Sequence, residues 1–559
     1  MHLLVRETRS LDEAAQAVDL GQTGADVVVL SFSDADLGAL ASVAIGRPSL
    51  RLASLGRLRH PMSVDLYLEQ TASRARCVIV RLLGGLDYWR YGAEELASVC
   101  RARGIALVFL PGDGGDDFAL AALSTVTPEA YARLDACFRH GGPANMARAL
   151  ILAAHLAGVG PDDGAAAEPM DLHGVHSLDA IDGRPLAAIV FYRSHVASGD
   201  IAPIAALAEA LRARGLAVGT LFAASLKAPD CAGFVAATLR DWRPSVVLNA
   251  TGFSARQDGA SPLDAAGVPV LQLVLSGASR DAWAASSRGL SPSDLAMQVV
   301  LPELDGRLLT CAVSFKAEEP PDPALEYGRT LHWPDADGIA LAADRAAGWA
   351  RLAGTVAAER RVAIVLSDYP GIGGQRGHAV GLDTFASIAA ILRMLAEAGY
   401  ATSPVGWEAL YNAPAQAFLS LDEYRRRSGP QLDAATAAWG EPEDDPSLVE
   451  GWFTLPYLRF GNILALIQPD RGDPRHRHSR YHDADQPPRH AYIALYLWLQ
   501  TQADAIVHLG AHGTLEWLPG KAAALSATCW PRALLGGLPV IYPFIVNNPG
   551  EAAAAKRRL

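Results

Sequence analysis

A multidomain α/β fold, with several mainly parallel sheets flanked by helices, is the architecture this sequence predicts. Two observations carry the prediction. Short β-branched apolar runs alternate with amphipathic stretches almost from end to end, the pattern of strands crossing over through helices. The 559 residues are also too many for one ordinary core, so three or four domains are expected.

The elements follow in order. Asp26-VVVLSF, Cys77-VIVRLL and Gly104-IALVFLPG read as buried strands, being short, apolar and ended by polar residues, Gly or Pro. Ala93 to Arg103 is amphipathic, and a helical tail over about Pro128 to Ala157 closes a first α/β domain, residues 1–157. Residues 158–177, rich in Gly, Pro, Asp and Ala without periodicity, read as a linker. A second α/β domain, 178–315, has strands at Ala187-AIVFYRSH, Val246-VLNATGF, Val268-PVLQLVLSG and Leu308-LTCAVSF. Within it Asp200 is expected to cap a helix that has Pro203 in its first turn, an apolar stripe of Ile204, Leu207, Ala208 and Leu211, and Gly215 at its end. The breaker-rich run Lys316-AEEPPDP marks a second linker, 316–337, before a third body over 338–559. There Arg361-VAIVLSDYP is a strand, Leu382 to Gly399 a long amphipathic helix, and Glu441-PEDDP an acidic solvated loop.

Composition excludes several functions. A net charge of −12 is the wrong sign for a general nucleic-acid binder. Six scattered cysteines without a CxxC pair argue against a disulfide framework or a cysteine zinc site. The apolar stretches are shorter than a membrane span. A soluble, cytoplasmic protein is expected.

Two regions carry chemistry. Gly371-IGGQRGHAVGLDT lies between a strand and a helix, where phosphate loops occur, but it lacks the GK[ST] ending and a GxGxxG register. It reads as a turn that lets backbone approach a ligand, and nothing else in the chain looks like an ATPase. The second region is rich in histidine. Arg475-HRHSRYHDADQPPRH holds His476, His478, His482 and His490; a helix Ala491-YIALYLWLQ and a strand Ala503-DAIVHLG follow, then Ala511-HGTLEWLPGK. His476 and His478 read as part of an ordinary basic loop. His508, His512 and Glu516 stand four apart, but Gly510 and Gly513 disfavour one continuous helix. The strand is expected to deliver His508 to the carboxyl edge of a sheet, with His512 and Glu516 on the loop beyond, where open α/β sheets bind ligands. Imidazoles suit borderline divalent metals and also accept protons near neutrality. The HExxH signature of zinc proteases is absent.

The run His508-LGAHGTLEWLPGK, followed by Leu538-PVIYPFIVNNPGEAAAAKRR, resembles the core motif of the chelatase large subunits, the cobalt- and magnesium-inserting enzymes of B12 and chlorophyll synthesis. Leu83-GGLDYWRYG, Phe191-YRSHVASGDIAPI, Val246-VLNATGF, Tyr369-P and Gly381-LDT extend the resemblance along essentially the whole chain. Trp517 and Leu518, where the magnesium branch more typically has Phe and Met, look like the aerobic cobaltochelatase branch. Family members are more than twice this long, so the resemblance implies an N-terminal portion with a truncated third body.

The resemblance implies Co²⁺ as a substrate, inserted into hydrogenobyrinic acid a,c-diamide. It also implies ATP with Mg²⁺ hydrolysed on two partner subunits, one of them an AAA+ ATPase. His508, His512, Glu516 and His490 become the expected catalytic groups, and His508, His512, Glu516 and His482 the expected metal-holding set, with Asp483 beside them. Arg475, Arg477, Arg480 and Arg489 are expected partners for the ring's carboxylates, with Trp517 and Tyr481 against its face. The alternatives are a magnesium protoporphyrin IX chelatase subunit and a fragment that binds tetrapyrrole or cobalt without catalysis.

Overall fold

The computed structural model describes residues 16–44, 48–112, 115–367, 382–402, 410, 412–472, 483–510, 514–543 and 549–559. It is an α/β structure built on three sheets. The first is fully parallel, in the order β2-β1-β3-β4, from β1 (Val27–Ser31), β2 (Leu50–Ser54), β3 (Cys77–Leu82) and β4 (Ala106–Pro111). All five β1 residues are buried, as expected for a parallel strand covered on both faces. The tail forms two helices, α1 (Pro128–His140) and α2 (Gly142–Leu156).

The second sheet has seven strands, β5 (His173–Leu178), β6 (Leu186–Tyr192), β7 (Ala217–Ala223), β8 (Val246–Asn249), β9 (Val270–Ser276), β10 (Leu308–Glu318) and β11 (Thr330–Pro334), in the order β11-β10-β9-β8-β6-β7-β5. Its five central strands are parallel, and β5 and β11 close the edges antiparallel. The proline- and glutamate-rich stretch expected as a linker therefore supplies the end of β10 and all of β11. Between them the chain docks on the first sheet's unit: Glu326 accepts from Thr23 N, Thr23 Oγ1 and Arg51 Nη2 at 2.7, 2.7 and 2.9 Å, and Leu325 enters that unit's core. Composition signals a break in periodicity, whereas edge pairing and docking supply backbone partners that local sequence cannot show. Likewise part of 158–177 is the edge strand β5.

Helix α3 (Ala202–Arg212) buries Ile204, Leu207, Ala208 and Leu211 as the stripe predicts. Asp200 does not cap it. The Asp200 carboxylate instead accepts from the main-chain N–H of His332 on β11, 3.2 Å from each oxygen, because the edge strand offers an otherwise unpaired donor. The His332 and His195 rings lie 5.8 Å apart, and Ser314 Oγ sits 3.2 Å from His332 Nδ1. Burial holds both imidazoles below their usual range, with His332 at about 3. A depressed imidazole binds fewer protons folded than unfolded, so its contribution is complete above pH 6.5 and lost as pH falls toward 3. Burial raises the Asp200 carboxyl, which acts with the opposite sign, and Lys316 is the nearby cation. A His332→Gln variant is expected to flatten the acid side of the stability curve by about 2 kcal/mol, read as denaturant midpoint against pH. An unchanged slope would place the acid sensitivity elsewhere.

After α4 (Arg280–Ala285), helix α5 (Ala336–Gly354) packs Ile339, Ala342, Ala346 and Ala350 on the second sheet's core rather than opening the third body. The third sheet comprises β12 (Val362–Leu366), β13 (Ala415–Ser420), β14 (Leu448–Val449), β15 (Trp452–Phe460), β16 (Ile463–Ile467), β17 (Ala505–Leu509) and β18 (Val540–Ile541). Its order is β13-β15-β16-β12-β17-β18, with β14 beside β15. The four strands β16, β12, β17 and β18 run parallel, so their carboxyl ends share one edge. The amphipathic stretch before the sheet's middle is α6 (Thr384–Glu397). Helix α7 (His490–Gln502) is buried continuously from His490 to Leu499, apolar on every side as a central helix should be.

The acidic stretch at Glu441 is only partly the solvated loop its charge suggests. Asp445 is buried, accepting from Ala491 N at 3.3 Å at the start of α7 and lying 3.6 Å from Arg489. The unpaired N–H groups at a buried helix N-terminus draw in a carboxylate. All six cysteines are buried free thiols. Among the described residues no helix is long and apolar enough to cross a membrane.

Candidate functional site

The parallel carboxyl edge of the third sheet gathers polar side chains from four strand ends. Ser367 follows β12, Gln468 follows β16, His508 is the fourth residue of β17, and Tyr542 follows β18. Register aligns them, with Val365 opposite His508 and Val507 opposite Ile541. Apolar strand bodies drive burial, and the first polar residues past them are therefore carried to the rim of the core.

Helix α7 covers this edge with Tyr492 and Tyr496, four residues apart on one face and both fully buried. Gln468 Nε2 donates to both phenolic oxygens at 2.6 Å. Thr514 Oγ1 donates to Gln468 Oε1 at 3.1 Å and lies 2.7 Å from the Tyr492 hydroxyl, which donates to it. The Tyr496 hydroxyl reaches His508 Nε2 at 3.4 Å, and Ser367 Oγ lies 3.4 Å from His508 Nδ1. Burial pushes both phenols above their usual range, so they stay protonated donors. With Tyr496 donating, Nε2 of His508 is the acceptor and Nδ1 carries the proton toward Ser367. Burial also lowers this fully enclosed imidazole to about 4, so it is neutral at pH 7, a weak base whose Nε2 electron pair is not taken by a proton.

Glu516 lies in a short 3-10 turn, Leu515–Trp517, and is buried. Tyr542 joins it to His508: the phenol donates to Glu516 Oε1 at 2.9 Å, and its ring meets the His508 ring edge-on at 5.0 Å. The turn is held from three sides. Arg471 donates to Trp517 O at 3.1 Å, and Arg558, at the end of α8 (Pro549–Arg558), donates to the carbonyls of Glu516 and Leu518. Lys521 places its ammonium among three carbonyls at the end of α4, those of Trp283, Ala284 and Ser286, at 2.8, 2.9 and 2.7 Å, above the Trp283 ring at 5.0 Å. Gly289 permits that approach, since its φ is +87° and a Cβ there would stand 2.3 Å from Ala523 O.

Of the residues expected at the site, the structure brings His508 and Glu516 together around Tyr542. His490 stands at the start of α7 with both ring nitrogens occupied, Nδ1 2.6 Å from the Tyr424 hydroxyl and Nε2 2.9 Å from Gly440 O. Arg489 faces Asp445, and Asp483 offers its carbonyl to Arg471 and its carboxylate to Asp485 N. Trp517 is half-buried beside Glu516. His512, His476, His478, His482, Arg475, Arg477, Arg480, Tyr481 and the glycine-rich run from Gly371 to Val380 lie outside the described residues. Among the described residues no three His, Cys, Asp or Glu side chains form a metal-binding group.

Sequence reading missed Ser367, Gln468, Tyr492, Tyr496 and Tyr542. Their signal was present: a polar residue directly after each apolar strand, and two tyrosines at helical spacing on an otherwise apolar helix.

The pattern of the CobN/Magnesium Chelatase family matches residues 136–559. The aerobic cobaltochelatase subunit CobN of a Sinorhizobium species is 41% identical, over all of this chain and 48% of that protein. The solved catalytic subunit of cobaltochelatase from Mycobacterium tuberculosis is similar in structure, with a TM-score of 0.74 and 31% identity over 96% of this chain and 47% of that one. A magnesium-chelatase subunit from Rhodobacter capsulatus is 31% identical over 66% of this chain and 34% of that protein. The chain thus spans about half the length of its cobaltochelatase relatives.

Proposed function

Because the chain belongs to the CobN/magnesium chelatase family, we propose that it forms the ring-handling part of an ATP-dependent cobaltochelatase. In this reading it binds hydrogenobyrinic acid a,c-diamide and takes part in inserting the substrate Co²⁺. ATP, with Mg²⁺, is hydrolysed on two partner subunits, one an AAA+ ATPase. The similarity to the CobN subunit across the whole chain, against a partial match to the magnesium-chelatase subunit, favours cobalt over magnesium.

The observation that carries the reading is the convergence of His508 and Glu516 on Tyr542. Insertion has two obstacles: the metal must shed water, and the ring nitrogens must lose protons. A neutral imidazole and a carboxylate beside the macrocycle address both, as ligands that replace water and as proton acceptors. Glu516 is assigned as base and ligand, oriented by Tyr542. His508, kept neutral by burial and held by looser 3.4 Å contacts to Tyr496 and Ser367 that set its tautomer, is assigned as a metal ligand. His512 is assigned to complete the set, with His482 as a further metal contact. His490 acts as a positioning residue, since both its nitrogens bind protein. Arg475, Arg477 and Arg480 are assigned to ring carboxylates.

A titration of the chain with hydrogenobyrinic acid a,c-diamide, followed by tryptophan quenching and absorbance, tests this. Saturable binding is expected, weakened about tenfold in His512→Ala, the loss of one charge-assisted contact. Tighter binding of protoporphyrin IX would move the assignment to the magnesium branch. Binding of neither ring would overturn it. Ring binding without insertion in the presence of the ATPase partners would leave a non-catalytic tetrapyrrole-binding piece.

A further inference from the structure

Helix α5 presents Arg345 and Trp349, four residues apart, toward the third sheet. There they help line a cavity of about 260 Å³ between the second and third sheets' units. Leu271 and Leu308 form its wall on one side, and Leu538 and Tyr542 on the other, with Lys556 of α8 at its rim. Gly348 brings the two units together: a Cβ there would lie 2.4 Å from Gly537 O.

Arg345 is the unusual member of this lining. Among the described residues its guanidinium makes one hydrogen bond, Nη1 to Leu309 O at 3.3 Å, and forms no ion pair with a carboxylate. Another cation, Arg532, acts on it electrostatically, and that guanidinium donates to the carbonyls of Leu525 and Asp337. Burial is the main cause that lowers its pKa, yet an arginine stays charged in any protein environment. Arg345 is partly exposed to this mostly apolar cavity, and with five donors and a single 3.3 Å acceptor it has donors to spare for an anion that enters. Lys556 adds a second positive charge, and it too has no carboxylate partner among the described residues.

The geometry points to a carboxylate-binding site in this cavity, where Arg345 and Lys556 seat one acidic side arm of the tetrapyrrole. The identification of the ring rests on the function proposed above; the anion chemistry does not. The planar fork of arginine matches a carboxylate in two parallel hydrogen bonds. A volume just under the roughly 300–1,000 Å³ of whole-ligand pockets suits an arm rather than a macrocycle. Tyr542 is the partition: it lines this cavity and donates to Glu516, so an arm held here is one aromatic ring away from the His508–Glu516 pair.

The test compares the full chain with its Arg345→Met and Arg345→Lys variants. The probes are hydrogenobyrinic acid a,c-diamide and its methyl ester, in which the acidic arms are blocked. Arg345→Met is expected to weaken binding of the free acid tenfold or more and leave the ester unchanged, with Arg345→Lys intermediate. If the acid-to-ester affinity ratio is the same in both variants as in the wild type, the proposal is overturned while the function stands. If the wild type binds neither ring, the function fails, and a propionate titration decides the site alone. Thermal stabilisation by propionate in the wild type, absent in Arg345→Met, then assigns it to a free carboxylate; no stabilisation removes it.

Discussion

Glu516→Gln is expected to reduce cobalt insertion by a factor of about 10² to 10⁴, the usual worth of a positioned acid–base group. The exchange keeps the volume of the side chain and a carbonyl oxygen that can still accept from the Tyr542 hydroxyl 2.9 Å away. What is lost is the negative charge and the ability to take a proton. Ring affinity should change little, because the step affected is deprotonation and capture of the metal rather than docking. Insertion is followed by the absorbance change of the ring with the ATPase partners present, and far-ultraviolet dichroism checks the fold. Insertion at more than half the wild-type rate would mean that His508 or His512 carries the chemistry. A parallel fall in ring binding would make Glu516 a docking group.

The second large effect is expected from Lys521→Met. The substitution preserves the aliphatic stem and removes the ammonium from its three carbonyl acceptors. The carbonyls of Trp283 and Ser286 keep main-chain donors, Ser286 N and Gly289 N, so the loss is that of the hydrogen bonds to the charged ammonium, each worth about 1.5–3 kcal/mol and partly replaced by water. A net loss of about 2–4 kcal/mol is expected in the contact between the second and third sheets' units. Quenching of Trp283, whose ring lies under the ammonium at 5.0 Å, reports that contact directly during denaturant unfolding. Lys521→Arg should rescue it poorly, since a planar fork does not fit a cup of three converging carbonyls. Insertion should fall as well, because the segment that ends at Lys521 carries Glu516 five residues earlier. An unchanged transition would show that Arg558 and Arg471 hold the turn without help.

Much of this site was legible in the chain itself. Apolar runs such as Val362 to Leu366 and Ala505 to Leu509 announce buried parallel strands, and a histidine at the end of one must emerge at the sheet's carboxyl edge. That argument places His508, and the chelatase motif marks Glu516. The misreadings share one cause. Asp200 resembles a helix cap, Asp445 a solvated acid, and 316–337 a linker, because composition describes neighbours along the chain. Their partners lie elsewhere: Asp200 pairs with His332, Asp445 with the start of α7, and the supposed linker with β10 and the first unit.

The sequence by itself determined the α/β architecture, the family, and the strand end and motif that carry the two central side chains. Periodicity and motif spacing are local properties, and each of these follows from them. Only the tertiary structure decided that Ser367, Gln468, Tyr496 and Tyr542 surround those side chains, that Lys521 ties their segment to α4, and that Arg345 faces a cavity with no acid among its described lining residues. These contacts join segments dozens to hundreds of residues apart, and strand order and burial select them. No local pattern records which rim residues will meet once the sheets have packed.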